Sequence, residues 1–129
     1  MAITHQAQVI SLTANADLAE GTFVKVSSGK AANTAANTAA GDVLGVVEEG
    51  VTKDWEATIV LPGHHGIVQV ALHSGASTVG VGTKLYLAAN GTVTTGSSGT
   101  LVAEALEPGT AGKLVEARLL EPATVAAVG

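Results

Sequence analysis

The chain has 129 residues and a formal net charge of −5, and its six Lys and Arg residues are too few to favour binding along a nucleic-acid backbone. The absence of Cys excludes disulfide and thiolate chemistry, and the apolar stretches are far shorter than the ~18 residues that a membrane-spanning helix needs. With 47% hydrophobic and only 13% charged residues, we expect other subunits to cover part of the surface. A tightly packed core of small side chains is the alternative.

The chain begins with a polar segment, Met1–Gln8, which is expected to form an N-terminal arm. It lacks the basic region and apolar core of a secretory signal, so we expect synthesis in a cytoplasm. The length predicts one domain over residues 9–121. The uncharged segment Pro122–Gly129 follows as a C-terminal tail, for which docking on a neighbour and disorder are equally compatible with the sequence.

Between these ends, alternating and β-branched runs are broken by turn residues, which predicts an all-β barrel or sandwich without substantial helix. Asn90-Gly91 predicts a hairpin, because a two-residue primed turn needs positive φ angles. We predict surface loops for the low-complexity segment Ala31–Ala40 and for Thr95–Gly99, at one end of the domain. The predicted strands are Gln8–Thr13, Thr22–Ser27, Val43–Glu48, Glu56–Leu61, Gly66–Leu72, Lys84–Ala88, Thr92–Thr95, Leu101–Leu106 and Leu114–Leu120.

A pattern over residues 17–63 recurs about sixty positions later, over residues 78–122. Gly21-Thr22 recurs 61 positions later as Gly82-Thr83. Further along, the letters match at offsets of 59 and 60, which pairs Glu48 with Glu107 and Glu56 with Glu116. Two copies are too few for a solenoid, so they predict one compact duplicated domain. Acids that recur in both copies indicate a structural role rather than a catalytic one.

The best candidate for chemistry is the Gly63–Gly66 segment, "GHHG", with His73 further along the chain. His64, His65 and His73, with Asp54 or Glu56 as a carboxylate, could provide zinc ligands for a metal-dependent enzyme. However, adjacent residues of a strand point to opposite faces, and the spacing matches no familiar metal signature. An exposed loop is the favoured interpretation, so we predict no catalytic residue, no metal and no cofactor.

Trp55 is the candidate interface residue, because tryptophan often anchors binding surfaces. A core position is the commoner role for this residue type, and the sequence leaves both open.

Several segments together resemble the capsid cement proteins, a family of small phage head decoration proteins once listed as a domain of unknown function. They are "LAEGTFVKV", "GDVLGVVEEGVTKDWEATIVLPG", and "GIVQVAL" followed by "GVGTKLYLAANGTVT". The resemblance covers about residues 18–120. Order and spacing carry it, since each motif is low in complexity. Neither the Ala31–Ala40 segment nor the histidine loop belongs to the shared pattern.

The resemblance implies a non-enzymatic virion protein that binds the outside of the assembled capsid and stabilises it, with the major capsid protein as its partner. It also implies a homo-oligomer, with a trimer favoured, and neither nucleic acid nor membrane as a ligand. The arm is the candidate capsid-binding segment, through Ala2, Ile3, Thr4, His5 and Gln6, by addition of a strand to an exposed sheet edge. The alternative function is a carbohydrate- or receptor-binding β-module displayed on a virion.

Overall fold

The computed structural model describes residues 9–62 and 67–126, and this part of the chain is all-β. Its helical content consists of two 3-10 turns of three residues each, Ala40–Asp42 and Ala89–Gly91. No helix in the described ranges is long and apolar enough to cross a membrane. The strands are β1 (Val9–Thr13), β2 (Phe23–Ser27), β3 (Lys30–Asn33), β4 (Gly45–Val47), β5 (Glu56–Val60), β6 (Ile67–Ala71), β7 (Lys84–Leu87), β8 (Val93–Thr94), β9 (Gly99–Ala105) and β10 (Leu114–Val125).

These strands form two five-stranded antiparallel sheets with the same internal order. One sheet runs β1-β5-β4-β2-β3 and the other β6-β10-β9-β7-β8, so each strand of the first has its counterpart five strands later. In both sheets the two edge strands meet at a bridge, Ala14 with Ala31 and Leu72 with Val93. Each sheet therefore curls towards a small barrel. We call β1–β5 the first repeat and β6–β10 the second repeat.

Backbone hydrogen bonds define which residues of the two repeats are equivalent. Gly21 N donates to Val47 O in the first repeat, and Gly82 N donates to Ala105 O in the second. In the same way, Glu48 N donates to Thr58 O in the first repeat, and Leu106 N donates to Glu116 O in the second. The match of Gly21 to Gly82 is confirmed, but the later letter matches are wrong by one or two positions. Glu48 is equivalent to Leu106 rather than Glu107, and Glu56 to Leu114. Because these two acids have leucines as their equivalents, the shared structural role inferred for them does not hold. The letters matched because turns rich in Gly and Glu align equally well at neighbouring offsets.

Among the described residues the structure has one strand more than the sequence predicts, and its last strand is longer. β10 continues to Val125 and pairs with β9 through Ala123, Thr124 and Val125, so the start of the expected tail Pro122–Gly129 belongs to the sheet. β3 occupies the start of Ala31–Ala40, a segment that we predicted to be a loop, and pairs with β2 across a tight turn. Ser28 and Gly29 form this turn with φ angles of 51° and 78°, the same conformation that Asn90 and Gly91 adopt with 58° and 74°. The Asn90-Gly91 turn was predicted because its dipeptide is the stronger signal.

The rest of the Ala31–Ala40 segment is not a free surface loop either. Thr34 and Thr38 are buried, and both bind the second repeat through their carbonyl oxygens. Gly91 N donates to Thr34 O at 2.8 Å, and Thr100 Oγ1 donates to Thr38 O at 2.6 Å. The segment therefore ties the two repeats together.

The apolar core divides into two clusters that do not coincide with the repeats. One cluster lies inside the first sheet and contains Ala14, Leu18, Val24, Ala31, Val47, Ala57 and Ile59. The other fills the second sheet and also includes three side chains from the first, Phe23, Val46 and Val60. These three neighbours across β2, β4 and β5 are at most 4% exposed. They form the apolar surface on which the second repeat packs.

The contact between the repeats is head to tail, which means that the two repeats contribute different surfaces to it. The positions equivalent to Phe23, Val46 and Val60 are Lys84, Glu104 and Arg118, which form the same cross-strand row on β7, β9 and β10. This second row faces solvent, with side-chain exposures of 49%, 19% and 53%. A two-fold contact would bury both rows alike. The first repeat therefore contributes this surface and the second repeat a different one.

The surface that the second repeat contributes includes its hairpin turn and the backbone of β6. A Cβ atom on Gly91 would lie 2.5 Å from Phe23 O, and one on Gly21 would lie 2.9 Å from Gln69 O. Ala71 N donates to Gly21 O at 2.9 Å. The equivalent glycines, Gly29 and Gly82, have no atom within 4 Å of such a Cβ. Of these two pairs of equivalent glycines, the described structure brings backbone close to backbone only at Gly21 and Gly91, in the contact between the repeats.

We predict that Gly91→Ala destabilises the protein much more than Gly29→Ala. Both glycines have positive φ angles, 74° and 78°, so each substitution costs about 1 kcal/mol in backbone strain. Only the methyl group added at Gly91 would also meet the carbonyl of Phe23, which should add about 1–3 kcal/mol of overpacking. Denaturant unfolding of both variants measures the difference. Equal losses of stability would contradict the close packing of the two repeats at this turn.

Candidate interaction surfaces

Trp55 lies on the turn before β5 and its side chain is 72% exposed, so the core position does not apply. The turn beneath it is held by its backbone. Ala14 N donates to Trp55 O at 2.8 Å, Asp54 N donates to Ala14 O at 2.9 Å, and Trp55 N donates to Thr52 O at 3.1 Å. A large apolar side chain is thus presented to solvent from a well-bonded turn, which suits a binding anchor.

Charged groups surround this turn. Asp54 has a φ angle of 73°, where the equivalent residue of the second repeat is Gly112 at 76°. Asp54 Oδ1 lies 3.5 Å from Lys30 Nζ, and Asp17 Oδ1 accepts a hydrogen bond from Lys53 N at 2.9 Å. Trp55 is equivalent to Lys113, since Ala14 N and Leu72 N donate to their respective carbonyls. The exposed aromatic ring therefore belongs to the first repeat alone.

A second polar surface is the row of Lys84, Glu104 and Arg118, which we call the ladder. Glu104 Oε2 lies 3.3 Å from Lys84 Nζ, and Glu104 Oε1 accepts a hydrogen bond from Arg118. The hydrogen bond from Arg118, followed by that from Lys84, lowers the pKa of Glu104 below its ordinary value of 4.5. The sequence alone does not reveal the ladder. Its three residues come from separate strands, and only the register of the sheet brings them together.

A groove of about 380 Å³ lies between the two repeats. Its lining mixes apolar side chains with the carboxylates of Glu20 and Glu48 and the amide of Gln69. Three exposed or partly exposed apolar residues, Val9, Ile67 and Val68, continue it towards solvent. Its described lining contains no histidine, serine or lysine.

Two groups of residues singled out in the sequence lie outside the described residues. They are the arm residues Ala2, Ile3, Thr4, His5 and Gln6, and the histidines His64 and His65. Within residues 9–62 and 67–126, no three His, Asp or Glu side chains come close enough to hold a metal ion. His73 takes part in a turn instead, where its Nδ1 accepts a hydrogen bond from Gly75 N at 3.0 Å.

The fold is similar to that of a solved phage protein. The crystal structure of the head fibre gp8.5 N base in bacteriophage phi29 superposes with a TM-score of 0.67 and 18% sequence identity. The match covers 95% of this chain and 100% of that chain. At this identity the likeness concerns the fold alone. No protein-family model and no curated protein matches the chain.

We predict that Glu104 makes the stability of this protein depend on acid pH. Because the folded state lowers its pKa below 4.5, the ladder's contribution is fully present above that value and is lost as the pH falls through the folded pKa. Glu104→Gln should therefore reduce the free energy of unfolding at neutral pH and have a smaller effect well below pH 4.5. The effect is modest since the pair is exposed.

Denaturant titrations of both proteins across this range provide the measurement. In a Lys84→Met/Arg118→Met background, Glu104→Gln should change the free energy of unfolding by an amount that no longer depends on pH. A pH-dependent difference that survives in this background would show that the ladder is not its cause.

Proposed function

We propose that this chain is a non-enzymatic decoration protein of a phage head, which binds the outer surface of the assembled capsid through the major capsid protein and stabilises the shell. One observation carries the proposal: the whole fold is similar to a phage head fibre base, with a match that spans 95% of this chain. The sequence motifs point independently in the same direction. The location that follows is the virion exterior, after synthesis in the host cytoplasm.

Several polar side chains of the described region support a structural role, because they bind their own scaffold. Glu107 Oε1 accepts a hydrogen bond from Glu116 N at 2.9 Å, His73 accepts one from Gly75 N, and Asp17 accepts one from Lys53 N. Asp54 and Glu104 are engaged in ion pairs. Such groups stabilise turns and strand pairs rather than converging on a space where a substrate would react.

Attachment to a shell does not require strong binding by each subunit. A homo-oligomer, for which a trimer is favoured, presents several copies of every contact to the lattice, and the summed avidity holds it in place. Trp55 is the proposed anchor in the described region, since it is exposed and its turn is well bonded. The arm, through Ala2–Gln6, is the proposed second contact.

The alternative is a carbohydrate- or receptor-binding module, and the positions of the aromatic residues argue against it. Sugar-binding surfaces commonly stack several aromatic rings against the ligand. The chain has one Phe, one Tyr and one Trp. Phe23 and Tyr86 are buried, at 1% and 7% exposure. Trp55 is thus the single ring available for stacking, which favours a protein anchor over a glycan platform.

We expect Trp55→Ala to weaken binding to capsid shells with little loss of folding stability. The probe is an icosahedral shell assembled from the major capsid protein encoded by the same genome, and the readout is the number of subunits bound per shell. Val81→Ala is the matched control, because Val81 is equally exposed at 70% but lies in the second repeat away from the Trp55 turn. Equal binding by both variants would remove Trp55 from the proposed contact.

Deletion of Met1–Gln8 tests the arm separately. If the arm adds a strand to the capsid, the shortened chain should keep its unfolding midpoint and lose occupancy on the same shells. Unchanged occupancy would reject the arm and leave the folded domain as the binding element. Absence of binding by the full-length chain would reject the decoration function itself.

A further inference from the structure

The head-to-tail contact inside the chain leaves one copy of each contacting surface unused. The second repeat docks with an edge surface, which we define as Gln69, Ala71, Gly91 and Leu114. The first repeat receives it on a face surface, formed by Gly21, Phe23, Val46 and Val60. By the hydrogen-bond equivalences, the first repeat has its own edge surface at Ser11, Thr13, Gly29 and Glu56. The second repeat has its own face surface at Gly82 and the ladder.

In the described part of the chain, nothing packs on either unused surface at its glycine. Gly29 and Gly82 are exposed and have no atom within 4 Å of a Cβ position, whereas their equivalents Gly91 and Gly21 are buried and tightly contacted. Glu56 is exposed on the strand that is hydrogen-bonded to β1. Among the described residues, the first repeat thus has a free edge surface and the second repeat a free face surface, which is the arrangement of a unit that can join further units in the same direction.

We propose that two copies of this chain associate head to tail, with the edge surface of the first repeat in one copy packed on the ladder of the next copy. The contact repeats the internal one in geometry. A heterologous contact of this kind closes into a ring when the rotation between copies permits it. The inference does not depend on the proposed function, because it concerns copies of the chain in solution without a capsid.

The chemistry of the two surfaces is complementary. In the internal contact, Leu114 Cδ2 lies against Gly21, at 2.7 Å from the position of a Cβ. Between copies, the equivalent pair is Glu56 against Gly82, two residues from Lys84. The Glu56 carboxylate therefore approaches a ladder in which Lys84 and Arg118 outnumber the carboxylate of Glu104 and leave one net positive charge, where the internal contact has apolar groups. Opposite charges are suited to a contact that must form between separate, soluble subunits.

The chain lacks Cys, so single introduced thiols report this contact without interference. We expect a mixture of Glu56→Cys chains and Lys84→Cys chains to form a cross-linked dimer on mild oxidation. Each variant alone should remain uncross-linked, because a head-to-tail contact never brings two copies of the same position together. Glu49→Cys mixed with Lys84→Cys is the matched control, since Glu49 is an exposed acid outside the edge surface.

Light scattering of the unmodified chain supplies the second measurement. We expect a species larger than a monomer. Glu56→Lys should weaken the association between copies at least tenfold and therefore shift the chain towards the monomer. Unfolding curves of each variant confirm that the fold is intact. A monomeric unmodified chain, cross-linking of either variant with itself, or equal cross-linking by the Glu49→Cys control would overturn the proposal. If these results hold while shell binding fails, the decoration function is rejected and the self-contact stands.

Discussion

The packing of one apolar row, Phe23, Val46 and Val60, against the second repeat is the interaction on which the rest of this structure depends. Each repeat is a curled sheet of short strands with mostly small side chains inside. Stabilisation follows the apolar area that is buried, and an interior of Ala and Val buries little area per residue. Removing this row from water contributes about 1.5–3 kcal/mol for each side chain. Two marginal sheets thereby become one stable domain.

That contact also explains why the two repeats differ where they do. Lys84, Glu104 and Arg118 occupy the same row in the second repeat, where no described residue packs an apolar surface against them. An apolar row at this site would be an exposed patch on a weakly charged protein, which favours uncontrolled association. The ion pairs keep the row soluble. They also leave it able to meet a partner of opposite charge.

The proposed function fits the mechanical character of the molecule. Its turns are closed by backbone hydrogen bonds, and the two repeats are tied by the segment around Thr34 and Thr38. A protein that reinforces a shell needs stiffness and multiple contacts more than a deep cleft. The exposed ring of Trp55 stands on such a turn, so the entropy lost on binding at this site is small.

The sequence by itself determined the all-β class, the duplication and the Asn90-Gly91 hairpin, because alternation, recurrence and turn dipeptides are local signals. It did not reveal β3, since alanine-rich segments form strands only when a neighbour such as Ala14 covers them. Nor could it show that the second repeat covers the row of Phe23, whereas the equivalent row of Lys84 faces solvent. The tertiary structure decided these points. Which face of a strand is covered, and which distant residues form a row, depends on how the sheets pair and pack rather than on any short stretch of chain.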